Sequence, residues 1–302
     1  MSSKCRNEIN SAPVSAKAHA VLPLYYEILA SRSDGFRKFQ SILQQLALHD
    51  TVNLKFTEEK TVRVKHPSNS FDREYVAKTV THFLRAVNAD FGVEISVQQA
   101  VPVNCGFFEK ESITAATLKL INARVAEPMS KIRLLEFANS VSNDQLCCTV
   151  NGTKYADMLD SHNCMITSLP SISDCSVIHI ISKSTPPISP TEAANIADEY
   201  YGTYWEKHRE HPTQRIMFSA LREFSLRDVL GEIYNIYEAP ISARFSEIKD
   251  MSALLYSLGA DKTCTAGYSN TVIGFFADKT RAISAMSEID SLHYEATMTE
   301  AI

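Results

Sequence analysis

The stretch from Cys105 to Thr117, CGFFEKESITAAT, follows an alternating apolar and polar run and opens a helical pattern. A nucleotide-binding protein places a glycine-rich phosphate loop at such a junction, because exposed backbone N–H groups and a helix N-terminus together attract anions. Here the stretch holds one glycine, two phenylalanines and two glutamates. Lys17, among the small residues of SAKAHAV, enters an apolar segment. A lysine there either serves as a catalytic cation or snorkels from a strand surface. Asp144, in SNDQLCC, either acts as a general base or shapes a polar turn. His208 and His211 stand three apart on a helical pattern without a cysteine or carboxylate set beside them, so they read as a solvated face. No metal site is expected, and no Ser-His-Asp elbow is present.

The elements that must position these residues follow from periodicity. TVNLKFTEEKTVRV, at 51–64, has β-branched alternation broken by a polar TEEK turn, which predicts a hairpin. A helix is expected at 71–88, capped by Ser70 or Asp72, with Tyr75, Val76, Val80, Phe83, Leu84 and Val87 on one face. GVEISV, from Gly92, alternates as a strand leading into the CGFFEKES stretch, and ITAATLKLINARV continues that stretch as a helix. A helix at 129–141 is expected to turn Ile132, Leu135 and Phe137 inward. CSVIHIISK, from Cys175, reads as a buried strand ending in the proline-rich turn STPPISP. Helices are then expected at 190–208, 226–236, 250–258 and 278–288, with a strand at 271–277. FRKFQSILQQL, from Phe36, fits a helix and one face of a strand equally well.

The chain has 302 residues, 45% hydrophobic and 22% charged, enough for two domains or one large α+β unit. A net charge of −5 gives no clustered cation for nucleic acid. No apolar run approaches the roughly 18–20 residues that span a bilayer, so no membrane partner is expected. The N-terminus lacks the apolar core of a signal peptide and reads as a short polar arm. The seven cysteines are scattered without a CxxC spacing, as in reduced thiols of a cytoplasmic protein. The composition shift at 165–190 marks the expected domain boundary.

Several short patterns run in a telling order. SAKAHAVLPLY precedes RSDGFRKFQSILQQLALHDTVNL; then come the 101–117 segment, SNDQLCC, STPPISPTEA and NIYEAPISARFSEIKDMSALLYSLGA. This succession resembles the GHMP kinase superfamily, and within it the kinases that phosphorylate a cytidine-diphosphate-linked methylerythritol in the non-mevalonate isoprenoid pathway. It implies an α+β fold of two domains, an N-terminal α+β domain at 1–168 and a C-terminal ferredoxin-like α/β domain at 169–302. The active site would lie in the cleft between them. The resemblance also implies an extended conformation after RSDGFR, ATP with Mg2+ as cofactors, a small-molecule substrate, no nucleic acid, and a monomer or homodimer.

The resemblance assigns roles residue by residue. Lys17 matches the family's active-site lysine and Asp144 its catalytic aspartate. Asp144 would accept the proton of the attacking hydroxyl, and Lys17 would keep that carboxylate ionised. Phe36 and Arg37 replace the tyrosine and histidine that hold the cytosine, and His19 replaces an asparagine beside the lysine. ATP contacts fall on Gly106, Lys110, Ser112, Thr117 and Gly267. Between Gly106 and the A-A-T match at Ala115–Thr117, consecutive glycines give way to Phe108, Glu109, Lys110 and Glu111. In TAGYSNT, Gly267 remains and Ser269 takes the place of a second glycine. Both changes imply weakened or remodelled ATP binding. They keep two alternatives open: a catalytically impaired binding protein of this fold, and a kinase for another small alcohol.

Overall fold

The computed structural model describes residues 12–31, 37–65, 73–141, 153–160, 163–202, 214–289, 291 and 293–302. His208, His211, Ser70 and Asp72 lie outside them. By contact the chain forms two compact units, one of Met1–Ala20, Leu48–Val103 and Phe108–Asn151, the other of Val21–Ala47, Asn104–Phe107 and Gly152–Ile302. Strands β1 (Val14–Ser31) and β2 (Arg37–Thr57) contribute to both.

The first unit adds β3 (Val62–Lys65), α1 (Arg73–Ala86), β4 (Gly92–Gln98), α2 (Glu109–Asn122) and α3 (Lys131–Val141). Its strands run β3-β4-β2-β1. The expected hairpin at 51–64 does not form. β4 enters between its two arms, antiparallel to β2 with Leu54 opposite Ile95, and parallel to β3 with Val64 opposite Ile95. A central strand satisfies backbone groups on both edges, which a local turn cannot do. Val52, Leu54 and Phe56 of β2 and Val93, Ile95 and Val97 of β4 are buried against Val76, Val80, Phe83 and Leu84 of α1. Each such side chain contributes about 1.5–3 kcal/mol on burial. α1 thus presents the face its periodicity predicts. α3 does not: Ile132 is 69% exposed, while Leu134 and Ala138 are buried and Phe137 meets Phe83 edge-on at 5.1 Å. Leu134 and Ala138 are four apart and set the inward stripe.

The second unit contains β5 (Lys154–Asp160), β6 (Asn163–Ser168), β7 (Ser176–Ser182), α4 (Pro190–Tyr201), α5 (Gln214–Arg222), α6 (Leu226–Gly231) and β8 (Tyr234–Asn235). It continues with α7 (Glu238–Arg244), α8 (Ser246–Ser257), β9 (Lys262–Thr265), β10 (Thr271–Phe276), α9 (Lys279–Glu288) and β11 (Tyr294–Glu300). A four-stranded sheet runs β11-β7-β10-β9, with every pairing antiparallel. Ile178 and Ile180 of β7 and Val272 of β10 share one core with Ile196 of α4, Met251 and Leu255 of α8 and Ala282 of α9. α4 starts after the proline-rich turn, with Ser189 accepting from the Glu192 amide and Pro190 at the first helical position.

One expectation in this unit is corrected, and one open reading is settled. The helix expected at 226–236 ends at Gly231, and Tyr234–Asn235 pairs in parallel with Tyr25–Tyr26 of β1. That pairing comes from a strand some two hundred positions away and outweighs local propensity. The segment after Phe36 is a strand, as the resemblance implies. Its period was unreadable because Ser41, Ile42, Leu43, Gln44, Gln45 and Leu46 are all buried, so both faces of the strand are covered. Gln44 is fully paired there, its amide donating to the Ile302 carbonyl and its oxygen accepting from Thr153 and the Ile172 amide. Cys105, Cys175 and Cys264 are buried, and burial pushes the Cys175 thiol up to about 12, the behaviour of a packing residue. Among the described residues no helix is long and apolar enough to cross a membrane.

Candidate active site

In the second unit, two glycine positions meet. Gly106 has φ of 79°, and a Cβ built on it would lie 2.0 Å from the Ala266 carbonyl oxygen. Only glycine permits that approach. Gly267 has φ of 57°, and its carbonyl accepts from the Asn235 amide. Asn235 also donates to Thr265 Oγ1 at 2.8 Å and accepts from the Tyr237 amide at 3.1 Å. Ser269 is fully buried. Its hydroxyl donates to the Ala266 carbonyl at 2.7 Å, shares that hydrogen with the Cys105 carbonyl at 3.1 Å, and accepts from the Thr271 amide. Phe107 is wholly buried, its carbonyl accepts from the Val21 amide, and its ring meets His179 edge-on at 5.1 Å. Burial lowers the His179 imidazole to about 4.

In the first unit, α2 opens on Phe108, which sits at φ 52° and ψ 40° and makes no side-chain capping bond. A non-glycine residue pays about 1–2 kcal/mol for that left-handed conformation. Glu109 and Glu111 occupy the first turn, 8% and 4% exposed. Carboxylates are favoured there by the helix dipole. Lys110 lies between them, its ammonium 3.6 Å from Glu111 Oε1 and 5.0 Å from the centre of the Tyr75 ring. The Ser112 hydroxyl donates to the His19 carbonyl at 2.7 Å, and the Thr117 hydroxyl donates back to the Ile113 carbonyl at 2.8 Å. Both hydroxyls are thus engaged by backbone.

The remaining candidates are spread unevenly. Lys17 lies at an exposed position of β1, and His19, two residues on, is half-buried with its ring 5.2 Å from His49. Arg37 opens β2, with its side chain outside the description. Phe36 and Asp144 lie outside the described residues. Several structural residues escaped sequence reasoning. Asn235 and His179 support the loops around Gly267 and Phe107 through partners distant in the chain. Asp50 is also buried, and its carboxylate accepts from the Ala100 and Val101 amides at 2.7 and 2.8 Å, fixing the approach to the 101–108 loop.

A nucleotide triphosphate tests this arrangement. The backbone before α2 suits it: Phe108 is left-handed there, a conformation that anion-binding nests use. The first-turn side chains do not, because Glu109 and Glu111 bring like charge to the N-terminus that would receive the anion. Two unit charges about 4 Å apart repel by roughly 1 kcal/mol in water and by more in drier surroundings. Among the described residues no cluster of His, Cys, Asp and Glu is arranged to hold a metal ion.

The fold is that of the GHMP kinases, mixed helix and sheet in the arrangement of their solved structures. The chain resembles one of them in particular along nearly its whole length. 4-Diphosphocytidyl-2-C-methyl-D-erythritol kinase of Caldicellulosiruptor saccharolyticus is 23% identical over 288 residues, covering 94% of this chain and 95% of the relative. A crystal structure of 4-(cytidine 5'-diphospho)-2C-methyl-D-erythritol kinase matches 95% of this chain and 99% of its own, with a TM-score of 0.74 and 15% identity. A homoserine kinase from Cytophaga hutchinsonii matches 97% of this chain and 96% of its own, at a TM-score of 0.67 and 16% identity. No family model matches the chain.

Proposed function

We propose that the chain is a small-molecule kinase that phosphorylates a hydroxyl of a cytidine-diphosphate-linked polyol, as the name of its relatives indicates for them. The observation that carries this reading is the likeness to those kinases over 94% of the chain, unbroken by a missing domain. ATP, with Mg2+, supplies the phosphoryl group. Asp144 accepts the proton of the substrate hydroxyl, and Lys17 keeps the Asp144 carboxylate ionised and offsets charge on the group in transfer. Phe36 stacks on the base, and Arg37 and His19 supply polar contacts to the cytidine end. A cytoplasmic location and a monomeric or homodimeric state go with this reading.

The test is ADP release with ATP·Mg2+ and 4-diphosphocytidyl-2-C-methyl-D-erythritol. Turnover that falls by about a hundredfold or more in Asp144→Asn, the scale of a lost general base, supports the assignment. Turnover unaffected by that substitution refutes the role of Asp144, and no turnover by the unmodified chain refutes the cytidine-compound kinase reading. A second reading is favoured by Glu109 and Glu111 in the first turn of α2: a catalytically impaired binding protein of this fold. It predicts binding of the cytidine compound without ADP release. Turnover of another small alcohol in place of the cytidine compound would instead identify a kinase of different specificity.

A further inference from the structure

One side chain grips both glycine loops of the second unit at their carbonyl ends. The buried Ser269 hydroxyl lies 2.7 Å from the Ala266 carbonyl oxygen and 3.1 Å from that of Cys105. Those carbonyls belong to the two peptide units whose nitrogens are those of Gly267 and Gly106. In a trans peptide the N–H points opposite to the C=O, and no cis bond occurs among the described residues. Both glycine N–H groups are therefore turned away from Ser269. Neither donates a hydrogen bond among the described residues, although Gly267 is buried. Buried backbone N–H groups without an acceptor are rare in folded proteins. The two glycines are neighbours, since a Cβ built on Gly267 would stand 3.8 Å from the Gly106 Cα. Their φ values of 79° and 57° are of the kind that backbone anion nests use. We infer that Ser269 is a positioning residue: by holding the Cys105 and Ala266 carbonyls, it aims the Gly106 and Gly267 amides at phosphate oxygens of the nucleotide. The inference rests on the proposed kinase reading, in which these glycines contact phosphate, and adds the side chain that orients them. Asn235 does not substitute for it, because its amide holds the Gly267 carbonyl, one peptide further on.

The experiment compares the full chain, unmodified and as Ser269→Ala, by two readouts. In turnover with ATP·Mg2+ and 4-diphosphocytidyl-2-C-methyl-D-erythritol, the variant's KM for ATP should rise about fivefold to tenfold, the scale of one lost hydrogen bond. Its kcat and its KM for the cytidine compound should stay within about twofold. A merely structural loss would lower kcat or move both KM values together; that result, or an unchanged KM for ATP, overturns the inference. The second readout is titration with inorganic tripolyphosphate, followed by NMR with the glycine nitrogens isotopically labelled. Of the nine glycine amides, those of Gly106 and Gly267 should move most in the unmodified chain, and the variant should bind more weakly by the same factor. Ser269→Cys, close to serine in shape but a weak donor, serves if circular dichroism shows that Ser269→Ala has not folded. No turnover by the unmodified chain, with tripolyphosphate moving both amides and the variant binding it more weakly, supports the inference and overturns the cytidine-compound kinase reading. Tripolyphosphate that moves neither amide, or does not bind, overturns the inference, and turnover by the unmodified chain would then leave the kinase reading intact.

Discussion

Replacing Gly106 by alanine tests whether this glycine is retained for backbone packing. The added Cβ would stand 2.0 Å from the Ala266 oxygen and 2.6 Å from its carbonyl carbon, both backbone atoms with no side-chain freedom to yield. Relief requires the two loops to part by about 1 Å or more, since carbon and oxygen pack at roughly 3.5 Å. Overpacking of this kind destabilises by about 1–3 kcal/mol. The φ of 79° adds about 1–2 kcal/mol for an L-residue held in the left-handed region. The expected loss is therefore about 2–5 kcal/mol, read as a lower midpoint in urea unfolding followed by far-ultraviolet circular dichroism. Gly231→Ala is the control: no atom lies within 4 Å of its Cβ position, and it ends α6. That change should leave stability within about 1 kcal/mol of the unmodified chain. If Gly106→Ala unfolds at the same midpoint as the control, the close approach does not constrain this glycine, and the reasoning fails.

Two further outcomes follow from buried polar groups. Asp50→Ala leaves the Ala100 and Val101 amides without their carboxylate acceptor and should destabilise by about 2–4 kcal/mol in urea unfolding. Asp50→Asn keeps an acceptor oxygen and should lose less than half of that; equal losses would rule out the hydrogen bonds as the cause. His179 has its folded pKa at about 4, below its ordinary 6.5, so the unfolded chain binds more protons between those values. Its contribution is fully present above about pH 6.5 and declines as pH falls towards 4, by up to about 3 kcal/mol. Stability measured from pH 7.5 to 4.5 should fall less steeply in His179→Leu than in the unmodified chain, and parallel profiles would refute the assignment.

What could be read from the chain depended on how local the physics was. α1 announces itself by one-sided apolar spacing and β4 by alternation, because each of the two buries one face more than the other. The hairpin at 51–64 failed because the partner of both arms arrives some thirty residues later, and no local pattern records a strand that will insert between two others. β2 was ambiguous for a related reason, since burial on both faces erases the period. In the candidate site, Gly106 and Gly267 were visible as motif residues, but the structure gives Gly106 a steric reason that holds without any phosphate. Ser269 looked like a loss of glycine and proves to be a hydrogen-bonded link between two loops. Such roles depend on partners far along the chain, and residue type alone does not reveal them.

The segment Asn104–Phe107 belongs by contact to the second unit, while Val103 and Phe108 on either side belong to the first. In the language of native-state hydrogen exchange, one continuous loop would then sample the opening of both units. If each unit opens as a whole, exchange at Phe107, which is fully buried, follows opening of the second unit, and exchange in α2 follows opening of the first. Protection factors should step at the Phe107–Phe108 peptide rather than vary smoothly through it. A ligand that engaged only the helix side would slow exchange after that peptide and leave the residues before it unchanged.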